Sequence, residues 1–172
     1  MLFRSTGTAE GTIFYHFKSK EQLLIAILEH AKTRILEEYE TAFADREFAS
    51  GLDMMEEAIA FYFHLTGLME HEFTLLQRQF PHQLAEDNSE CRAHLAAIYN
   101  CLTDIFERVV RAGQADGSMG DFEPRGTAMI LFAMVDGLLR LKTCNLYEAG
   151  ALFDQLVASC RRMLAKPRDG SC

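Results

Sequence analysis

Apolar residues along this chain recur at spacings of three and four, and no segment sustains the alternation of a strand. The sharpest start signal is Ser19-Lys20-Glu21-Gln22, a Ser at the N-cap with a Gln three positions on. It predicts a helix from Lys20 to about Phe43, with Leu24, Ile27, Leu28, Ala31, Ile35 and Tyr39 on its apolar stripe. Ser50-Gly51-Leu52-Asp53 predicts the next start, leading into Met54, Met55, Ile59, Phe61, Tyr62, Phe63 and Leu65. These residues cover more than one face, so the helix is expected to be buried on several sides. A shorter segment, Phe73 to Phe80, is expected to stop at Pro81. A long helix over 91–113 follows, with Leu95, Ile98, Leu102, Ile105, Phe106, Val109 and Val110 on one face. Gly113, Gly117, Gly120 and Pro124 mark a loop, and Pro124 suits the first position of a helix over 124–143. The run Ala128 to Val135 is apolar all round, which predicts burial on every side. Ala133 and Gly137 lie one turn apart, small enough for a second helix to come close. The last helix, about 148–165, sets Leu152, Phe153, Leu156, Val157, Cys160, Met163 and Leu164 against Asp154, Gln155, Ser159, Arg161 and Arg162. The tail after Pro167 reads as disordered.

Composition narrows this picture. The 172 residues are 49% apolar, enough to bury a sizeable core, and no apolar run approaches the length of a spanning helix. The N-terminus has no signal-peptide pattern, so the five cysteines are expected to be reduced thiols of a cytoplasmic protein. The net charge of −8 argues against a protein that binds nucleic acid over its whole surface. The charge is uneven, however. Residues 1–36 hold five Lys/Arg against three Glu, a net of +2, while the remainder holds 12 against 22, a net of −10. A slightly basic end on an acidic body suits a head that touches DNA and a body that does not.

The most informative stretch runs from Thr6 to Leu23: Thr-Gly-Thr-Ala-Glu-Gly-Thr-Ile-Phe-Tyr-His-Phe-Lys-Ser-Lys-Glu-Gln-Leu. Gly7 permits a left-handed turn between two helices, and Thr8 can cap a short helix from Ala9 to Tyr15. Ile13 and Phe17 then face the core, and Thr12, Tyr15 and His16 face outward. Lys20 sits in a first turn, where its charge opposes the helix dipole; a bound phosphate would reverse that penalty. The stretch resembles the end of the helix-turn-helix in tetracycline-repressor (TetR) family transcriptional regulators. It departs from the family at Phe14, often Tyr, and at Glu10, where Lys or Ser is common. The resemblance implies an all-α protein whose head lacks its first helix and most of its second, since only Met1 to Thr6 precede the turn. Residues 1–43 would form this partial DNA-binding domain and connecting helix, 44–166 a helical ligand-binding and dimerisation domain, and 167–172 a tail.

The resemblance further implies a ligand-responsive regulator, a repressor that binds a palindromic operator as a homodimer and is released by a small, mostly apolar effector. The DNA contacts would be Thr8, Ala9, Glu10, Thr12, Tyr15, His16 and Lys20, and a Glu at position 10 can accept from cytosine N4. The pocket would be lined by Met55, Phe61, Phe63, His64, Phe73, Phe80, Tyr99 and Phe132. The last two helices, with Asp136-Gly137-Leu138-Leu139 in the first, look like the family's dimerising pair, giving Met134, Leu138, Leu152, Leu156, Cys160 and Met163 as interface residues. The alternative is a helical dimeric sensor or scaffold that does not bind DNA. The histidines show no metal-ligand spacing, and no phosphate loop or nucleophile elbow is present, so neither a metal, a cofactor nor catalysis is expected.

Overall fold

The computed structural model describes residues 17–143 and 148–166. They form α1 (Lys20–Phe43), α2 (Gly51–Leu68), α3 (Glu70–Leu76), α4 (Gln79–Asp87), α5 (Ser89–Ala115), α6 (Pro124–Thr143), a 3-10 turn (Ala149–Leu152) and α7 (Phe153–Leu164). Among the described residues the extended contact is one isolated bridge, Met119 to Ala165, and the architecture is all-α.

Each helix start has a local cause. Ser19 Oγ accepts from the Gln22 N–H at 3.2 Å, while Gln22 Oε1 reaches back to the Lys18 N–H at 3.1 Å, one residue before the cap. Ser50 Oγ caps α2 by accepting from the Asp53 N–H, and Asn88 Oδ1 caps α5 by accepting from the Cys91 N–H. Glu123 takes over this work for α6. Pro124 brings no N–H to satisfy, and the next two, on Arg125 and Gly126, both donate to the Glu123 carboxylate.

Two expectations from the sequence change here. Pro81 starts a helix rather than stopping one: it lies in the first turn of α4, where an N–H would have no helical acceptor. The expected segment from Phe73 to Phe80 is therefore two helices, α3 and α4, broken at Gln77 and Arg78. His82 Nε2 reinforces the break, lying 2.9 Å from the Leu76 carbonyl at the end of α3. The apolar run of α6 is likewise not buried on every side. Ala128, Leu131, Val135 and Leu139 form a buried stripe, but Met129 and Ile130 remain 57% and 55% exposed. Among the described residues, α6 is packed along one face.

The core centres on α5, which packs against α1, α2, α4 and α6. Ile98, Leu102, Phe106, Val109 and Val110 are almost fully buried along it, each such side chain stabilising the fold by roughly 1.5–3 kcal/mol. The closest approach is at its far end, where α2 begins. A Cβ on Gly51 would stand 2.2 Å from Gly113 Cα, backbone against backbone, so only glycine fits there. The same corner is bonded by Asp116, whose Oδ2 accepts from the Gly51 N–H at 2.6 Å and whose Oδ1 accepts from the Ser118 N–H at 2.8 Å. Arg161 of α7 closes it by donating to Asp53 at 2.6 Å and Glu56 at 2.8 Å.

Candidate functional site

Farther along α2, four helices leave a small gap. Tyr62 (α2), Phe73 and Leu76 (α3), Gln77, Tyr99 and Leu102 (α5), and Asp136 and Arg140 (α6) surround a cavity of about 10 Å³, the space of roughly one water molecule. Helical spacing assembles it. Tyr99 and Leu102 share one face of α5, Asp136 and Arg140 lie one turn apart on α6, and the break after α3 turns Leu76 and Gln77 into the wall.

The polar heart is one hydrogen bond. Tyr62, with 1% of its surface exposed, donates its hydroxyl to Asp136 Oδ1 at 2.9 Å. Burial pushes the Asp136 carboxyl above the usual carboxylate range, against the opposing pull of the Tyr62 hydrogen bond and of Arg140. Burial, with the nearby Asp136 charge, also pushes up the Tyr62 and Tyr99 phenols. Among the described residues the Tyr62 bond is the only hydrogen bond to Asp136, and no ion pair joins it to Arg140. No polar side-chain atom among them is both buried and unbonded, so Asp136 Oδ2 opens onto accessible space. Aromatic rings back the group edge to face: Phe73 and Phe132 each stand 5.7 Å from Tyr62, and Phe132 stands 6.2 Å from Tyr99. Outside the cavity, His82 stacks over Tyr99 at 6.5 Å. From the cavity wall, α3 reaches α1 through Glu72, which accepts from Arg34 at 2.8 Å.

Of the residues expected to line a pocket, Phe73 and Tyr99 line this cavity, and Phe132 packs against Tyr62 and Tyr99. Met55 is buried in the core away from the cavity. Phe61 packs against Tyr39 and Phe43, and Phe63 against Phe153 at 5.3 Å. His64 and Phe80 are exposed. Tyr62, Leu76, Gln77, Leu102, Asp136 and Arg140 also line the cavity, outside the set expected from sequence. A signal for Asp136 did exist: a carboxylate directly after an eight-residue apolar run on a buried helix needs a reason.

Thr8, Ala9, Glu10, Thr12, Tyr15 and His16 lie outside the described residues; Lys20 stands exposed at the first position of α1. Of the expected interface residues, Leu152 and Met163 are exposed, Met134, Leu138 and Leu156 are half-buried, and Cys160 is wholly buried inside the protomer. Cys91, Cys101 and Cys160 are buried free thiols, each held above the usual thiol range by burial. Among the described residues no group of three His, Cys, Asp or Glu is placed to hold a metal, and no helix is long and apolar enough to cross a membrane.

Residues 1–27 match the family profile of bacterial regulatory proteins, tetR family. A comparison with curated proteins finds no match. Among solved structures, the chain is similar to a bacterial regulatory protein in the tetR family from Rhodococcus RHA1, with a TM-score of 0.71 at 20% identity over 94% of this chain and 82% of that one. It is also similar to the MbdR regulator from Azoarcus sp. CIB, at 0.67 and 20% over 87% and 80%. A third likeness is to Escherichia coli NemR in its reduced form, at 0.60 and 17% over 93% and 82%. These likenesses are of fold, and the matched segment at the N-terminus supplies the sequence link. The chain thus joins a segment that matches the tetR-family profile at residues 1–27 to a helical body whose fold is similar to that of solved tetR-family regulators.

Proposed function

We propose that the protein is a ligand-responsive DNA-binding transcriptional regulator, a repressor that binds a palindromic operator as a homodimer and releases it when a small effector enters the body. The observation that carries this reading is the matched head segment at residues 1–27, which includes the capped start of α1. Residues 1–43 serve as the DNA-binding end and its connecting helix, and 44–166 as the ligand-binding and dimerisation domain. Thr12, Tyr15, His16 and Lys20 hold the phosphate backbone, and Thr8, Ala9 and Glu10 face base edges. The exposed apolar side chains of Met129 and Ile130 on α6, of Leu152 just before α7 and of Met163 on α7 support dimerisation through these helices, because an interface there would remove them from water.

The test is a titration of the protein against duplexes selected from a random library, repeated at several salt concentrations. Lys20→Ala should weaken binding on all sequences alike and lower the salt slope by about one. Glu10→Gln should change which base is preferred. A protein that selects no sequence, or a Lys20→Ala variant with unchanged salt slope, overturns the reading. Ile130→Asp changes a residue already exposed in the protomer, so it should leave the fold intact and yield a monomer by light scattering.

A further inference from the structure

The cavity between α2, α3, α5 and α6 says something about the chemistry of the effector, resting on the reading of this protein as an effector-responsive regulator. We propose that it receives the protonated amine of an organic cation, with Asp136 as counter-ion and the apolar body of the ligand lying outward past Gln77 and Arg140.

Three observations converge on an amine. The first is the acceptor. An ionised carboxylate offers about four lone-pair sites, and among the described residues Asp136 has one protein donor, the Tyr62 hydroxyl at 2.9 Å. Its second oxygen opens onto accessible space, and among the described residues no cation pairs with it. A carboxylate drawn this far from water is stabilised by a donor, and most by a charged one. The second is the wall. Tyr62, Phe73 and Tyr99 line the same space, and aromatic rings attract a cation by their quadrupoles. The third is size. A cavity of about 10 Å³ admits a group as large as one water. An ammonium is such a group; a carboxylate or a ring is not.

Arg140 is the competing feature, because a guanidinium at the rim could bind an acid instead. It is exposed and its charge is screened by solvent, whereas Asp136 is half-buried at the cavity. The tetR-type body therefore offers its carboxylate inside and its guanidinium outside. An acidic ligand would have to bring its charge up against Asp136.

The test uses matched probes without DNA: 2-phenylethylamine, phenylacetate and 2-phenylethanol, measured by calorimetry and by thermal midpoint at neutral pH. The amine should bind and raise the midpoint, and the acid and alcohol should bind at least tenfold more weakly. Asp136→Asn should lower amine affinity roughly tenfold to a hundredfold. Arg140→Ala alters an exposed residue and is expected to fold normally; by removing the competing cation near Asp136 it should tighten amine binding. The proposal is overturned if none of the probes binds, if phenylacetate binds best and Arg140→Ala abolishes it, or if Asp136→Asn leaves the amine affinity intact. A DNA titration separates the two claims. Acid or alcohol probes that release DNA would leave the regulator reading standing and remove the amine. Amine binding that leaves DNA affinity unchanged would support the pocket assignment and count against effector release.

Discussion

Helix α2 meets carboxylates in two places, and the two are built on opposite terms. At its start, Asp53, Glu56 and Asp116 lie near the surface and are bonded several times over, by Ser50, Arg161, Ser118 and the Gly51 N–H. Hydrogen bonds from Ser50 and Arg161 hold the Asp53 carboxyl below its usual range, and bonds from Ser118 do the same for Asp116. Beside Tyr62, a single carboxylate is half-buried among rings with one hydrogen bond, and burial pushes it up. The first arrangement stabilises the fold. The second works against stability, because burial opposes the charge more than its hydrogen bond favours it.

The largest effect that would sharpen this contrast is at the bonded end. Gly51→Ala drives a methyl into the Gly113 backbone, which has no side chain to move aside; destabilisation of about 3 kcal/mol is expected in denaturant unfolding. Gly113→Ala meets only the flexible Met119 side chain and should cost less. A Gly51→Ala protein of normal stability would show that this corner is looser than its geometry.

Next comes acid. A lowered carboxyl contributes stability that is present above its ordinary value, 3.8 for Asp53 and Asp116, and is lost as pH falls through the lowered one. A raised carboxyl acts in the other direction: the folded state gains as pH falls from the raised value of Asp136 towards 3.8. Asp136→Asn should therefore raise the unfolding midpoint at neutral pH, and its advantage should fade below about pH 4. Asn still accepts from the Tyr62 hydroxyl, so the comparison isolates the charge. An Asn variant less stable than the parent at neutral pH would break the contrast, because Asp136 would then be a stabilising residue.

The smallest effect is at Arg161. Both acids it holds are well exposed, so Arg161→Met should cost at most about 1 kcal/mol, and less in high salt. A loss of several kcal/mol, insensitive to salt, would show that the ion pairs matter far more than their exposure allows.

Sequence reasoning reached the helices because their causes are local. Ser19, Ser50 and Pro124 mark starts that the structure keeps, and the apolar stripe of α1 is buried almost as its spacing requires. It failed where the cause is distant. Pro81 is compatible with either end of a helix, and only the turn at Gln77 and Arg78 decides which. Met129 and Ile130 sit in a run whose composition cannot say which side faces a neighbour. Phe73 and Tyr99 stand at the cavity, and as aromatic residues they are the kind of wall that residue type alone suggests. Tyr62 was read as core and Asp136 as part of a helix pair, because their bond joins positions far apart in the chain, α2 to α6.

The contact between Arg34 and Glu72 has a mechanical consequence. Helix α1 is a stiff rod, and this contact grips it partway along its length, on a side where α3 also lines the cavity. Lys20 stands at one end of the rod, about 20 Å from that grip by the rise of a helix. Rotating the rod by about 5° around the grip displaces Lys20 by roughly 2 Å, the scale on which packed helices shift between states.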